Sequence, residues 1–341
     1  MTDRILPPLS AEQKSLVRKE ILHFNHRLEQ TGLFTDEALA RLIDEHPRDQ
    51  VTICTMRPNP PANETWIAGD AHDLDGAQLV AAARTGALWV SPRSAMTKNA
   101  RYKKVFDQLM GEFSKETGLP VLTADAAVLI SSPHMGIYFH VDPAETMLWH
   151  VRGHKVIRVY PPRQDLVTEG ALEAILLKEN LSDLPWTPAL EDHAMPVLLE
   201  PGEGAFWPQH SPHRVVNGGD LNVSVSVEFS SPQSMLTNSV FYGNARLRRA
   251  IGWAPKSRGV MQAFAPAYLL AAKALKSWSP PKMNVERSHL RRFDVDLSAP
   301  GCVRWREGMA PAWASPVEPV APVRKAARKS ARGKSETLKA A

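Results

Sequence analysis

The sequence predicts a mainly β fold, a barrel or sandwich with helices added at both ends. Three observations predict it. From about Leu119 the chain breaks into short β-like runs punctuated by Gly and Pro: VLTADAAVLISS, GIYFHVD, TMLWHVRG, KVIRVYPP, AMPVLLEPGEGAFWP, PHRVVNGG and LNVSVSVEFS. The last run alternates, with Val223, Val225, Val227 and Phe229 on one side and Asn222, Ser224, Ser226 and Glu228 on the other, so one face is packed and the other meets something polar. At 341 residues with 43% hydrophobic content, the chain can bury one principal core with appendages.

Taken in order, residues 1–118 read as mostly helical. Ser10 is an N-cap for a helix over AEQKSLVRKEILHFNHRLEQTG, Thr35 begins a second, and DGAQLVAAARTG and ARYKKVFDQLMGEFSKETG supply two more around the strand VTICTM. Residues 119–231 form the β core, with a helical insertion near 165–185. Residues 232–300 turn helical again, and Met261, Phe264, Leu269, Leu270 and Leu275 make a stripe that suits core or a homodimer contact better than a membrane face. Residues 301–341 are expected to be a disordered basic tail.

The net charge of +5 belongs to that tail. Arg324, Lys325, Arg328, Lys329, Arg332, Lys334 and Lys339 stand there against Glu336 alone, which leaves the body nearly neutral. A folded nucleic-acid-binding face needs a basic footprint, so nucleic acid is expected only through the tail, if at all. Cys54 and Cys302 form no spaced framework, which fits a reducing compartment, and no stretch has the length of a signal core or membrane span. A cytoplasmic protein without membrane contact is expected.

The chemistry concentrates in two places. YFHVDPAETMLWHVRGHKVIRVYPP holds His140 and Asp142, two apart and therefore on one side of a strand, and GAFWPQHSPHRVVNGGD holds His213. Two imidazoles and one carboxylate on one face of Fe(II) leave positions open for further ligands. His150 is the competing ligand, because one more inward His would make a three-His site. Lys155 opens an apolar strand; facing the core it would need an anionic partner, and in a hairpin turn it would face water. Trp149 and Trp207 read as barrel packing or pocket lining. Asn222, Ser224 and Ser226 read as a polar pocket wall or as an exposed sheet face.

Together His140-x-Asp142, Gly153-x-Lys155, Tyr160-Pro161-Pro162, Pro208 and His213 resemble the JmjC-type, cupin-like Fe(II)- and 2-oxoglutarate-dependent oxygenases over roughly 110 residues. The resemblance implies a double-stranded β-helix core flanked by N- and C-terminal helices. It also implies Fe(II) on His140, Asp142 and His213, 2-oxoglutarate on Lys155, and hydroxylation of a protein side chain or small molecule. Where many members carry Thr three residues before the first His, this chain has Ile137, so Tyr138 or Ser131 would supply that hydroxyl. Thr146 stands where many carry Asn, and Ser211-Pro212 where many carry Trp-Trp. Tyr138, Thr146 and Ser226 join Lys155 as expected cosubstrate contacts. A cupin-like binding protein without turnover, or a cupin metalloenzyme that uses no 2-oxoglutarate, stays open as an alternative.

Overall fold

A computed structural model describes residues 4–179, 184–253, 255–278 and 290–314. The basic segment 321–341 lies outside them. In chain order come α1 (Ala11–Leu16), β1 (Leu22–Asn25), α2 (Asp36–Glu45), β2 (Val51–Thr55), β3 (Ile67–Asp70), α3 (Gly76–Thr85), β4 (Trp89–Pro92), α4 (Ala95–Lys98) and α5 (Ala100–Thr117). The core follows as β5 (Thr123–Ser131), β6 (Gly136–His140), β7 (Glu145–Arg152), β8 (Lys155–Val159), the inserted α6 (Glu169–Leu176), β9 (Met195–Leu199), β10 (Glu203–Phe206), β11 (His213–Asn217) and β12 (Asn222–Ser230). Then come α7 (Pro232–Ile251), α8 (Ala265–Trp278), β13 (Phe293–Val295) and β14 (Val303–Trp305).

The topology is a double-stranded β-helix. From β5 to β12 the chain passes back and forth between a large sheet, where these strands lie in the order β10-β7-β12-β5, and a small sheet ordered β6-β11-β8-β9. The large sheet extends to ten strands, with β1 beyond β10 and β4-β2-β3-β13-β14 beyond β5. Period-2 alternation then sorts the side chains. Val223, Val225, Val227 and Phe229 point out of the barrel into a cluster with Phe24, Phe113, Trp149 and Phe206, while Ser224 on the opposite face meets Lys155 of the small sheet. Helix α5 covers that outer surface with Tyr102, Phe106, Leu109 and Phe113, all buried and spaced three or four apart. The insertion covers the small sheet through Leu166, Val167, Leu172 and Leu184, which pack on Phe139, Val141 and Tyr160.

Three expectations need correction. The helix from Ser10 ends early: Ser10 caps α1 with a capping box, but Arg18 takes a left-handed φ of 64° and the chain re-enters as β1. Leu22 and Phe24 are buried while His23 and Asn25 are exposed, the alternation of a strand, and Leu22 pairs opposite Phe206 on β10. Apolar spacing over so short a run fits either structure, and the open edge of the large sheet decides it. Neither the helical stretch to residue 300 nor the tail from 301 is without strands, since β13 runs parallel to β3 and pairs with β14. The Phe293 ring occupies the space where Gly69 lacks a Cβ. Among the described residues no helix is long and apolar enough to cross a membrane.

Phe24 seats β1, its ring over Gly204 and 4.6 Å from the Trp149 ring. Phe24→Ala should therefore cost about 3–5 kcal/mol of unfolding free energy, read from urea midpoints; a loss under 1 kcal/mol, on the scale of an ordinary surface substitution, would show that β1 is not seated in the core.

Candidate metal centre

Three side chains converge at one end of the barrel. His140 is the last residue of β6, Asp142 lies just beyond it, and His213 opens β11 directly opposite His140. Their ligand atoms all lie within 4.8 Å of one another. His213 Nε2 is 3.4 Å and His140 Nε2 3.9 Å from Asp142 Oδ2, and the imidazole centroids are 4.1 Å apart.

The other nitrogen of each ring is held by the backbone. His140 Nδ1 lies 2.9 Å from the Tyr138 carbonyl and His213 Nδ1 3.1 Å from the Ser211 carbonyl. A carbonyl only accepts, so both Nδ1 atoms carry the proton and both Nε2 lone pairs face the centre, the tautomer a metal requires. Burial, reinforced by His140, lowers the His213 pKa to about 4, which keeps it neutral and free to ligate. The donor set fits a divalent metal of the Fe(II) class, with one carboxylate, two imidazoles and an open side toward the barrel interior. Thr146 Oγ1 donates to Asp142 Oδ2 at 3.3 Å, which steadies the carboxylate. Trp207 stacks 4.7 Å from the His213 ring and forms part of the wall.

Deeper in the barrel lies a second polar group. Lys155, the first residue of β8, is 2% exposed. Its Nζ donates to Ser224 Oγ at 2.9 Å, Ser224 Oγ lies 2.9 Å from His150 Nδ1, and His150 Nε2 lies 2.9 Å from the Gly153 carbonyl. The chain has one consistent direction. His150 Nε2–H donates to Gly153, Nδ1 accepts the Ser224 hydroxyl, and Ser224 accepts from Lys155. Burial, then the Lys155 charge, pushes the His150 pKa down to about 3, in keeping with a neutral ring. His150 is thereby removed from the metal, which excludes the three-His site. Burial also pulls Lys155 down to about 7, and among the described residues no carboxylate pairs with it.

The remaining candidates separate cleanly. Trp149 leaves the pocket altogether, because its position on β7 faces outward and its ring packs on Phe24, Phe113 and His26. Asn222 is buried at the Gly153 turn, where its Nδ2 donates to the Asp220 carbonyl. Ser131 Oγ accepts from Asn217, and its own proton has no acceptor among the described residues. Ser226 lies between Ser224 and Glu228 on the inward face of β12. Tyr138 is buried with its ring 5.5 Å from His140. Strand parity alone would pair Tyr138 with His140, but a bulge intervenes: His213 faces His140 while Val215 faces Ile137. Ile137 therefore packs on the interior cluster of Leu148, Ile157 and Val159.

Sequence reasoning missed the Ser224–His150 support of Lys155, because the two residues lie 74 apart and only the pairing of β7 with β12 joins them. It also missed Glu228, which stands opposite Thr146 at the barrel mouth. The protein around it, then Asp142 and Asp125, pushes its carboxyl up to about 7.

No protein-family model and no curated protein matches this sequence. Solved structures with similarity to it include the Escherichia coli protein YcfD (TM-score 0.47, 15% identity, 82% of this chain and 71% of that one). Another is described as the Escherichia coli ribosomal oxygenase YcfD (0.45, 15%, 81% and 69%), and a third as YcfD with cobalt and 2-oxoglutarate (0.44, 14%, 79% and 68%).

Two measurements test the site. His140→Ala should weaken Mn(II) binding, followed by electron paramagnetic resonance, by at least about tenfold, and Thr146→Val should weaken it less; unchanged affinity in His140→Ala would remove the assignment. Between pH 7 and the ordinary lysine value the unfolded chain holds a proton that folded Lys155 has lost. Stability should consequently rise with pH across that window, and Lys155→Met should flatten the rise in denaturant midpoints.

Proposed function

We propose that the protein is an Fe(II)- and 2-oxoglutarate-dependent oxygenase that hydroxylates a protein side chain or small molecule. One observation carries the reading: the buried Lys155 ammonium has no carboxylate partner among the described residues, in the same barrel as an open His-Asp-His centre. A buried cation without a counterion is costly, and an anionic ligand removes the cost. Lys155 lies opposite Asn217 and Val159 opposite His213, so four residues, about 13 Å of strand, separate the lysine backbone from the metal end. The extended lysine side chain and a five-carbon dicarboxylate can bridge such a length.

In this reading Lys155 holds the distal carboxylate with its ammonium oriented by Ser224, and Ser131, whose proton is uncommitted among the described residues, replaces the hydroxyl absent at Ile137. When bound, the metal supplies activation of O2 with oxidation of 2-oxoglutarate to succinate and CO2. The chain's own part is to present neutral Nε2 donors, to steady Asp142 through Thr146, and to wall the interior with Trp207, Ile157 and Val159. Ser226 lies on the path between the two ends. A cytoplasmic setting is supported by Cys54 and Cys302, both buried as free thiols.

Purified protein with Fe(II), ascorbate and 2-oxoglutarate should release succinate, and Lys155→Met should abolish release while retaining Mn(II) binding. Absence of both succinate and 2-oxoglutarate binding in the wild type would favour a binding protein without turnover. A homodimer is proposed through the C-terminal helical region, where the large apolar side chains of Ile251, Trp253, Val260, Phe264 and Leu270 are each exposed. Sedimentation should give a dimer that Phe264→Glu and Leu270→Glu dissociate; a wild-type monomer would refute it.

A further inference from the structure

Outside the barrel mouth lies a cavity of about 300 Å³ that the metal centre does not use, at the small end of ligand-site volumes. One wall is a ridge of α7, where Gln233, Thr237 and Phe241 fall four residues apart and so share a face. Arg258 and Gln262 form the opposite wall, and Gln209 lies next to the metal-binding segment, its Nε2 donating to the carbonyl of Pro143, the neighbour of Asp142. Among the lining residues no carboxylate occurs, and Arg258 is the one permanent charge. Its guanidinium is held by two neutral acceptors, the carbonyls of Pro162 at 2.9 Å and Val167 at 3.1 Å, and no carboxylate among the described residues forms an ion pair with it. The nearby Glu169 carboxylate is occupied by the backbone N–H groups of Ser257 and Arg258. Gln233 and Thr237 have no hydrogen-bond partner among the described residues, so a carboxamide and a hydroxyl, each donor and acceptor at once, face the cavity uncommitted.

We infer that this groove binds a polypeptide segment of the substrate in extended form, with Gln233 and Thr237 on its main-chain amides, Gln209, whose Nε2 is held by the Pro143 and Ser234 carbonyls, accepting through Oε1, and Arg258 on an acidic side chain close to the residue that enters the barrel. Main-chain amides need partners that both donate and accept, which carboxamides supply without regard to sequence. The guanidinium adds the sequence preference, since a carboxylate can take its free N–H groups in charge-assisted bonds. The inference rests on reading the barrel mouth as the substrate's entrance, and it narrows the substrate to a protein with an acidic residue near the modified one.

The test uses the full-length protein labelled with 15N and no metal or 2-oxoglutarate, titrated with acetyl-Ala-Glu-Ala-amide, its Gln analogue and its Lys analogue. Saturable shifts of the Gln233 and Gln262 carboxamide signals are expected with the Glu peptide. The Gln and Lys peptides should bind on the order of tenfold more weakly, as loss of a charged hydrogen bond implies. Arg258→Met should erase the difference between Glu and Gln peptides, and Gln233→Ala, a change on the exposed surface of α7, should weaken all three together. Equal affinity for the Glu and Gln peptides, an unchanged preference in Arg258→Met, or no shift with any peptide would overturn the site. Should Arg258→Met fail to fold, the wild-type preference between Glu and Gln peptides decides. Succinate release is measured separately, so failure of turnover and failure of this groove are distinct results.

Discussion

The pairing of β11 with both β6 and β8 is the constraint on which the rest of the site depends. It puts His213 opposite His140 on one side and opposite Val159 on the other, and the same ladder continues to set Asn217 opposite Lys155. One strand therefore fixes the metal end and the lysine end of the interior at a constant separation. Because side chains alternate with period 2, a slip of one residue in β11 would turn His213 away from the centre and bring its neighbour Arg214 or Pro212 to that position. The bulge between β6 and β11 is what reconciles the two ends, letting His140 and Ile137 both face inward although they are three residues apart.

Energetically the interior is divided. Around Trp149, Phe113 and Phe229 the outer surface of the large sheet is dry, aromatic and backed by α5, and it carries most of the burial that stabilises the fold. Inside the barrel an apolar cluster of Ile137, Leu148, Ile157, Val159 and Trp207 lies beside a buried polar group, Lys155, Ser224 and His150, joined by hydrogen bonds. The hydrogen bonds His150 to Gly153, Ser224 to His150 and Lys155 to Ser224 satisfy the imidazole and the hydroxyl, and leave the lysine its charge and two of its three N–H donors. Electroneutrality at that point is left to a ligand, as it is at the metal end.

Much of this was legible in the sequence, and the reasons are physical. A carboxylate two residues from a histidine on a strand must share its face, and the clean alternation of β12 fixed which of its residues could meet polar partners. The candidate set His140, Asp142 and His213, which the fold brings within 4.8 Å, and the lysine, which it buries, were named from those rules together with the resemblance. Three things did not. Ile137 could not be placed on the face of His140, because a bulge leaves no trace in local periodicity. Trp149 could not be assigned a side until the outer cluster with Phe24 was formed, since both faces of β7 are buried. β1 read as helix because its strand character comes from an edge supplied by β10, far along the chain.

That last pairing has a consequence for how the protein is made. Leu22 finds its partner at Phe206, and β5 finds its partner in β12, so neither the first strand nor the first wall of the barrel can settle until nearly all of the core has left the ribosome. During that interval the helices α2, α3 and α5, whose contacts are local, can form while their apolar faces wait uncovered. Synthesis thus passes through a stage in which a helical cap exists without the sheet it covers, and a chain released before β12 would present that face to chaperones or to its neighbours.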